Sequence, residues 1–377
     1  MRIAIVTSSF PLRAYDPAAA AGVFVRDFAV HVAQQGHEVH VLTQDKGWGC
    51  EQPPEAIHVH CFPWRGKERP LASLSPSNPS DRWTIWDFIQ SGRKAMVALH
   101  REVGLQHTLA MWAVPSGLFA RHLQRRAGVP YSVWCLGSDI WGYGQKPLLK
   151  HIVASILQDA ETRFADGLQL AADSERLAQV PVSFLASSRQ LREIQAQPVD
   201  SAHQGPHFLF VGRYHQVKGV DVLLKAMAQL VAREPRGFLT MLGGGPLRAE
   251  MESMVQTLRL QRHVSIGGYA DPQTVVDHAA TCDAWVIPSR MESIPVVFSD
   301  ALQLGLPIVA TDVGDMGDLL RGHPAGIVVP PGDVSALAEA LLTMAHQSEG
   351  YREAIPPLAA QFDLEQTASR FIERISS

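Results

Sequence analysis

Short β-branched runs alternate with stretches of helical periodicity along the first half of the chain. RIAIVT (2–7), HEVHVLT (37–43), IHVHCF (57–62) and YSVWCL (131–136) have the near-continuous apolar character of strands buried on both faces. Between them, GVFVRDFAVHVAQQG (22–36) and PSGLFARHLQRRAG (115–128) place apolar residues at helical spacing, and each ends at a glycine. The second half repeats this grammar, with strands predicted at HFLFVG (207–212), FLTMLGGG (238–245), HVSIGG (263–268), AWVIPS (284–289) and PIVATD (307–312). A helix follows the first of them at GVDVLLKAMAQLVARE (219–234). The rhythm breaks only at 64–92, where a loop, SLSPSNPSD (73–81), leads into a helix at 82–100 carrying Trp83, Trp86 and Phe88.

Strand–helix alternation of this kind predicts an α/β fold of two Rossmann-like parallel-sheet domains that face each other across a cleft. The expected division is an acceptor-side domain over 1–195, a linker over 196–206, a second domain over 207–355 and a C-terminal helix over 356–377. That helix is expected to pack back on the first domain. Polar, Pro- and Gly-containing QAQPVDSAHQGP (195–206) supports the linker. A ligand belongs at the carboxyl ends of the strands.

Composition narrows the classes. A chain of 377 residues with 46% hydrophobic and 19% charged residues is globular and long enough for two cores. No apolar run reaches the ~20 residues that cross a bilayer, and the opening MRIAIVTSSFP reads as a first strand, not a signal peptide. The first 195 residues hold 20 Lys+Arg against 17 Asp+Glu, and the remainder 13 against 20. The near-neutral sum argues against nucleic acid as a partner. The basic stretches WRGKER (64–69) and RHLQRR (121–126) admit either an anionic surface or plain solvation, and the aromatic helix leaves a peripheral membrane contact open. Cys50, Cys61, Cys135 and Cys282 lack zinc spacing and read as reduced thiols of a cytoplasmic protein, in which association with the inner face of the membrane stays open. No metal site is expected.

Candidate chemistry clusters in the second half. In FVGRYHQVKGVDVLL (210–224) a strand ends at Gly212, and Arg213 and Lys218 stand in the loop before a helix. Two cations and free backbone amides at one point suit a diphosphate better than the positive end of a helix dipole suits two solvated cations. LGGGPLRAEME (242–252) forms a second glycine loop at the same sheet edge, with Pro246 expected at the first helical position. In PSRMESIPVVFSDALQLG (288–305) Glu292 lies after a strand and Pro295 opens a helix. The backbone of 293–295, through the N–H groups of Ser293 and Ile294, is then ready for phosphate. Glu292 is placed to accept from sugar hydroxyls, and Asp300, among apolar neighbours, calls for a partner such as a ribose. A helix-entry Glu and a surface Asp is the plainer alternative.

Taken together, Gly212-Arg213, Lys218-Gly219, GGGP, PSRMESIPVVFSDALQLGLPIVATDVG and GIVVPPGD (326–333) resemble the retaining glycosyltransferases of the GT-B fold, most closely family 4. AAGVFVRDFAVHVAQQGHEVHVLT (20–43), WAVPSGLFARHL (112–123) and GSDIWGY (137–143) extend the resemblance, more loosely, into the first half. It implies a metal-independent, retaining transfer of a hexose from a nucleotide-sugar donor, UDP or GDP favoured, to a glycan or lipid-linked glycan, in bacterial surface polysaccharide synthesis, with no cofactor. It further implies that Arg213 and Lys218 neutralise the donor diphosphate and that Glu292 contacts the donor sugar. Amides near Ile294, Pro295 and Val296 would meet the phosphates, Asp300 the ribose, and Tyr269 the base. Gly212 and Gly244 line the donor loops, Gly22 admits the sugar–acceptor junction, and Asp139 and Trp112 stand on the acceptor side. Several positions depart from the family pattern: Asp300 where Glu is usual, LAMW (109–112) for HAHW, Leu136 before GSD, and LASS at 185–188. Acceptor-side polar groups are thus thinned, so a binding or scaffold protein without turnover stands as the alternative function.

Overall fold

The computed structural model describes the chain except for residues 13–21, 48, 51–52, 54–55, 70, 192, 198–204 and 377 and the side chain of Ala72. The chain divides into two units, Met1–Arg189 with Leu364–Ser377, and Gln190–Asp363. Most of the expected 196–206 linker lies outside the described residues. Of the expected C-terminal segment, only the part from Leu364 onward belongs to the first unit.

The first unit is built on strands β1 (Arg2–Val6), β2 (Glu38–Gln44), β3 (Ile57–Phe62), β4 (His107–Met111), β5 (Tyr131–Cys135), β6 (Thr162–Ala165) and β7 (Ser183–Phe184). They pair in parallel in the order β3-β2-β1-β4-β5-β6-β7. The second unit carries β8 (His207–Val211), β9 (Phe238–Leu242), β10 (Val264–Ile266), β11 (Ala284–Ile287), β12 (Ile308–Thr311) and β13 (Gly326–Val329). These are also parallel, in the order β10-β9-β8-β11-β12-β13. The strand order reverses between β1 and β4 in one sheet and between β8 and β11 in the other. At such a reversal neighbouring loops diverge to opposite faces and leave a crevice beyond the strand ends.

Each expected strand forms, with ends that differ from the expected ones by at most three residues. Four strands were not anticipated: β4, β6, β7 and β13. The helix expected at 82–100 runs from Pro79 to Val103. Asn78, the sole asparagine of the chain, caps it by accepting from Ser80 N–H at 3.0 Å. Its Phe88 is buried whereas Trp83 and Trp86 are half exposed.

Trp134 on β5 is fully buried, with Phe24 and Phe28 of the helix Val23–Gln34 edge-on at 5.6 and 5.0 Å. Phe371 of the C-terminal helix Leu364–Ser376 reaches the same cluster, 5.5 Å from Phe28 and 5.9 Å from Phe164. That helix is strongly amphipathic, and its buried stripe of Leu364, Ala368, Phe371 and Ile375 has no other place to go.

The expectation of four reduced thiols is corrected at one pair: Cys50 and Cys61 are bonded, with Cα atoms 5.7 Å apart. Sequence spacing carries no sign of this pair, because β3 sets the distance between them. Cys135 and Cys282 are free and buried, and burial pushes both thiols up.

His107, at the start of β4, is fully buried, with Nε2 2.7 Å from Ser132 Oγ. Burial lowers its pKa to about 4, although the half-exposed Glu161 stands 3.5 Å from Nδ1. A depressed histidine pKa means that the unfolded chain takes up the proton first. The neutral native state is therefore fully favoured above pH ~6.5, and stability falls as pH drops from ~6.5 toward 4. At pH ~5 this one site costs about 2 kcal/mol. Thermal unfolding followed from pH 7 to 5 is expected to show the first unit losing stability, and His107→Gln is expected to flatten that slope. An unchanged slope in the variant refutes the assignment.

Candidate functional site

Arg213 and Lys218 follow β8, and Glu292 follows β11, so the strand reversal of the second sheet brings Lys218 and Glu292 together. Lys218 Nζ donates to Glu292 Oε1, joining residues 74 apart in sequence. The two side chains are 19% and 15% exposed, so each charge depends on the other for most of its solvation. Ser289 Oγ also donates to Glu292 Oε1, at 3.2 Å. Arg213 itself is exposed.

The two loops are locked together by more than this pair. Arg290 donates its guanidinium fork to both Asp221 oxygens at 2.8 Å, and Asp221 sits in the first turn of the helix Val220–Val231. Arg290 N–H donates to Val217 O at 2.7 Å, and its side chain to Gln216 O at 2.6 Å. Hydrogen bonding by Arg290, ahead of the cost of burial, holds the Asp221 carboxyl below the usual range. Sequence reasoning missed this pair. Its signal was an arginine two residues before Glu292 and an aspartate two residues after Gly219.

Glycines permit the close approach. Gly219 has φ +66°, and a Cβ there would stand 1.9 Å from Pro288 O. Gly314, after β12, has φ +55°, and its Cβ would meet Ser293 O at 2.2 Å and Glu292 O at 2.4 Å. Beneath them, Tyr214 is fully buried and its hydroxyl donates toward Met241 O (2.9 Å) and Gly267 O (3.0 Å). Burial raises that phenol, which keeps it a donor. Tyr214 N–H in turn donates to Gly244 O at 2.8 Å, tying the Arg213 loop to the glycine loop.

The other expected donor residues sort by position. Gly212 donates its N–H to Leu242 O at 2.9 Å at the head of β8. Tyr269, 37% exposed, lies across Gly244, where a Cβ would stand 2.5 Å from its ring. Pro295 caps the helix Val296–Gln303 through its backbone, and Ile294 is buried beside it. Val296 N–H, with the next amides, heads that helix. Pro246 lies two residues before the helix Arg248–Thr257, outside its first turn, because Gly245 turns the chain against Tyr214 O. The Ser293 side chain was not anticipated. It is 8% exposed, and its hydroxyl has no hydrogen-bond partner among the described residues.

Two acids expected to meet ligands are buried within the protein. Asp300 has no exposed area, but it has an interaction partner within the protein, so burial alone gives no requirement for a ribose. Asp139, expected to face an acceptor, is fully buried in the π turn Ser138–Gly142 and accepts from Ala113 N–H at 2.8 Å and Leu136 N–H at 3.2 Å. Burial raises its carboxyl above the usual range in spite of those bonds. Its visible work is to clamp the loop after β4 to the loop after β5. Trp112 lies in the clamped loop with φ +65°, its N–H bonded to Trp134 O at 2.9 Å. Gly22, at the head of the helix Val23–Gln34, is pressed so close to the loop after β1 that a Cβ would stand 1.4 Å from Ser9 O.

Comparison with known proteins bears on this arrangement. The family model described as glycosyl transferases group 1 matches residues 192–356, and that of a glycosyl transferase 4-like domain matches 19–183. The α-D-kanosaminyltransferase of Streptomyces kanamyceticus is 26% identical over 264 residues, covering 64% of this chain and 68% of that protein. The putative teichuronic acid biosynthesis glycosyltransferase TuaC of Bacillus subtilis is 28% identical over 281 residues, covering 69% and 67%. Among solved structures, Anabaena HepE in complex with UDP and glucose superposes with a TM-score of 0.75 at 16% identity, covering 100% of each chain.

The loop lock yields a direct test. Gly219→Ala places a methyl group in a left-handed conformation against Pro288 O, at a cost of roughly 2 kcal/mol or more. The thermal midpoint should fall by roughly 4 °C or more. Gly322→Ala, where no described heavy atom lies within 4 Å, should not lower it. Equal midpoints for the two variants contradict the packing described.

Proposed function

Because this chain belongs to the group 1 glycosyltransferases of the GT-B fold, we propose that it is a retaining, metal-independent enzyme of the family 4 type. It moves a hexose from a UDP- or GDP-sugar to a glycan or lipid-linked glycan acceptor, in the synthesis of a bacterial surface polysaccharide. The observation that carries this reading is the meeting of Lys218 and Glu292 beyond the β8–β11 reversal, with exposed Arg213 on the same loop as Lys218. The teichuronic acid relative supports the polysaccharide setting, and the UDP held by HepE supports the nucleotide.

In this mechanism the donor diphosphate takes Lys218 and Arg213, whose two positive charges offset the charge that grows as the sugar–phosphate bond breaks. Glu292, released from Lys218, accepts from hydroxyls of the donor sugar. The acceptor oxygen forms its bond on the face the diphosphate leaves, and its proton departs with the diphosphate. Tyr269, lying on the glycine loop, takes the base. Asp300 reaches a ribose only where binding uncovers its carboxylate.

Thermal unfolding with UDP, GDP and ADP and their sugars is the test. The matching nucleotide at 100 times its Kd should stabilise by about 2.7 kcal/mol. Arg213→Ala with Lys218→Ala should remove that shift and abolish transfer while the fold persists; a variant that still transfers sugar defeats the reading. Glu292→Gln should lower kcat by roughly 100-fold or more with nucleotide binding kept, whereas a rise in KM alone makes Glu292 a binding contact. Asp300→Glu should preserve or tighten nucleotide binding, and a misfolded product makes Asp300 structural. Nucleotide binding without transfer to any glycan acceptor favours the scaffold alternative.

A further inference from the structure

The outward stripe of the helix Pro79–Val103 has no role in the donor site, and its chemistry points elsewhere. Residues 83, 86, 90, 94, 97 and 101 are spaced by three and four and so share one face, opposite the buried Phe88, Gly92, Met96 and Leu99. Trp83 and Trp86 are 54% and 50% exposed and lie parallel to each other, ring centroids 4.7 Å apart and planes 6° apart. Further along the stripe, Lys94 and Arg101 are exposed, and no carboxylate stands among these six positions. Asp87, at the edge of the stripe, accepts from Arg65 N–H at 2.8 Å, with the Arg65 guanidinium 3.6 Å away.

A cationic flap adjoins the indoles. Trp64 is buried against Phe88 and donates to Asp45 O at 2.8 Å, and Gly66 folds over its ring so closely that a Cβ would stand 2.0 Å away. This anchors the segment bearing Arg65, Lys67 and Arg69, all exposed, where three cations stand against one exposed carboxylate, Glu68. The carboxylate that answers Arg69 is the buried Asp81 of the same helix. Two exposed indoles beside exposed Lys and Arg, with the nearby aspartates already engaged, match the boundary layer of an anionic bilayer. There indole rings settle at headgroup depth while cations meet lipid phosphates. Among the described residues no helix is long and apolar enough to cross a membrane.

We propose that this stripe docks the first unit onto anionic lipid, with Trp83 and Trp86 at the headgroup level and Arg65, Lys67, Lys94 and Arg101 on phosphates. The inference stands on its own observations and does not depend on the donor reading. Co-sedimentation of the full chain with vesicles of phosphatidylglycerol and phosphatidylcholine in equal parts tests it. Binding is expected to weaken as ionic strength rises and to be much weaker on phosphatidylcholine alone. Trp83→Ala with Trp86→Ala, and separately Lys94→Glu with Arg101→Glu, should each lower the partition coefficient about tenfold or more. Circular dichroism and the thermal midpoint should stay unchanged, because these side chains are exposed. Failure of the wild-type chain to sediment with the anionic vesicles, or sedimentation of both variants like wild type, overturns the proposal. So does quenching of indole fluorescence by a soluble oligosaccharide in a chain that ignores vesicles, which makes the pair a glycan platform.

Discussion

The ion pair between Lys218 and Glu292 is the constraint on which the second unit's loops depend. Both groups have given up most of their water, and a charge in that position is tolerable only beside its opposite. To bring them together the fold presses the segments after β8, β11 and β12 into backbone contact. Gly219 against Pro288 O and Gly314 against Ser293 O are the result, since no side chain fits at either point. Arg290 and Asp221 repeat the same link one layer away, so the loop register is fixed twice. An arriving diphosphate would offer Lys218 a stronger partner without disturbing the second link. The pair is thus suited to exchange, while the Arg290–Asp221 bond is suited to stay.

The sequence was most informative where one physical demand acted alone. Strands buried on both faces must be largely apolar, and β1, β5, β8, β9, β11 and β12 stand out for that reason. The strands that escaped notice are short or polar. β6 begins with Thr162 and Arg163, β7 has two residues, and β4 opens with His107 and Thr108, whose polarity is absorbed inside the sheet. β13 was visible only as the motif GIVVPPGD. The loop at 212–219 stood out because Arg, Lys and Gly together are hard to explain otherwise, and its Lys218 is paired with Glu292. The burial of Asp139 and Asp300 was not legible, because a carboxylate in an apolar neighbourhood reads the same whether it faces a ligand or the protein.

The positions where this chain departs from the family pattern acquire a physical meaning in the first unit. In LAMW, Leu109 and Met111 both have no exposed area and lie on β4, so they pack within the sheet. Polar groups there would have to be satisfied inside a parallel sheet. The apolar residues remove that burden.

Asp139 supplies a buried polar contact at this end of the sheet. It stands beside the reversal of the first sheet, and one carboxylate draws together the amides that follow β4 and β5. A fully buried acid accepting two N–H bonds holds those loop ends at fixed distance, as Lys218 and Glu292 do at the reversal of the second sheet. The two sheets reach the same end by unlike chemistry, with a carboxylate against backbone dipoles in one and a carboxylate against an ammonium in the other. The difference bears on function. Backbone amides cannot leave when a ligand arrives, whereas an ammonium can change partner. The Asp139 clamp is therefore a fixed support, and on the proposed reading Lys218 is the group that exchanges Glu292 for an incoming anion.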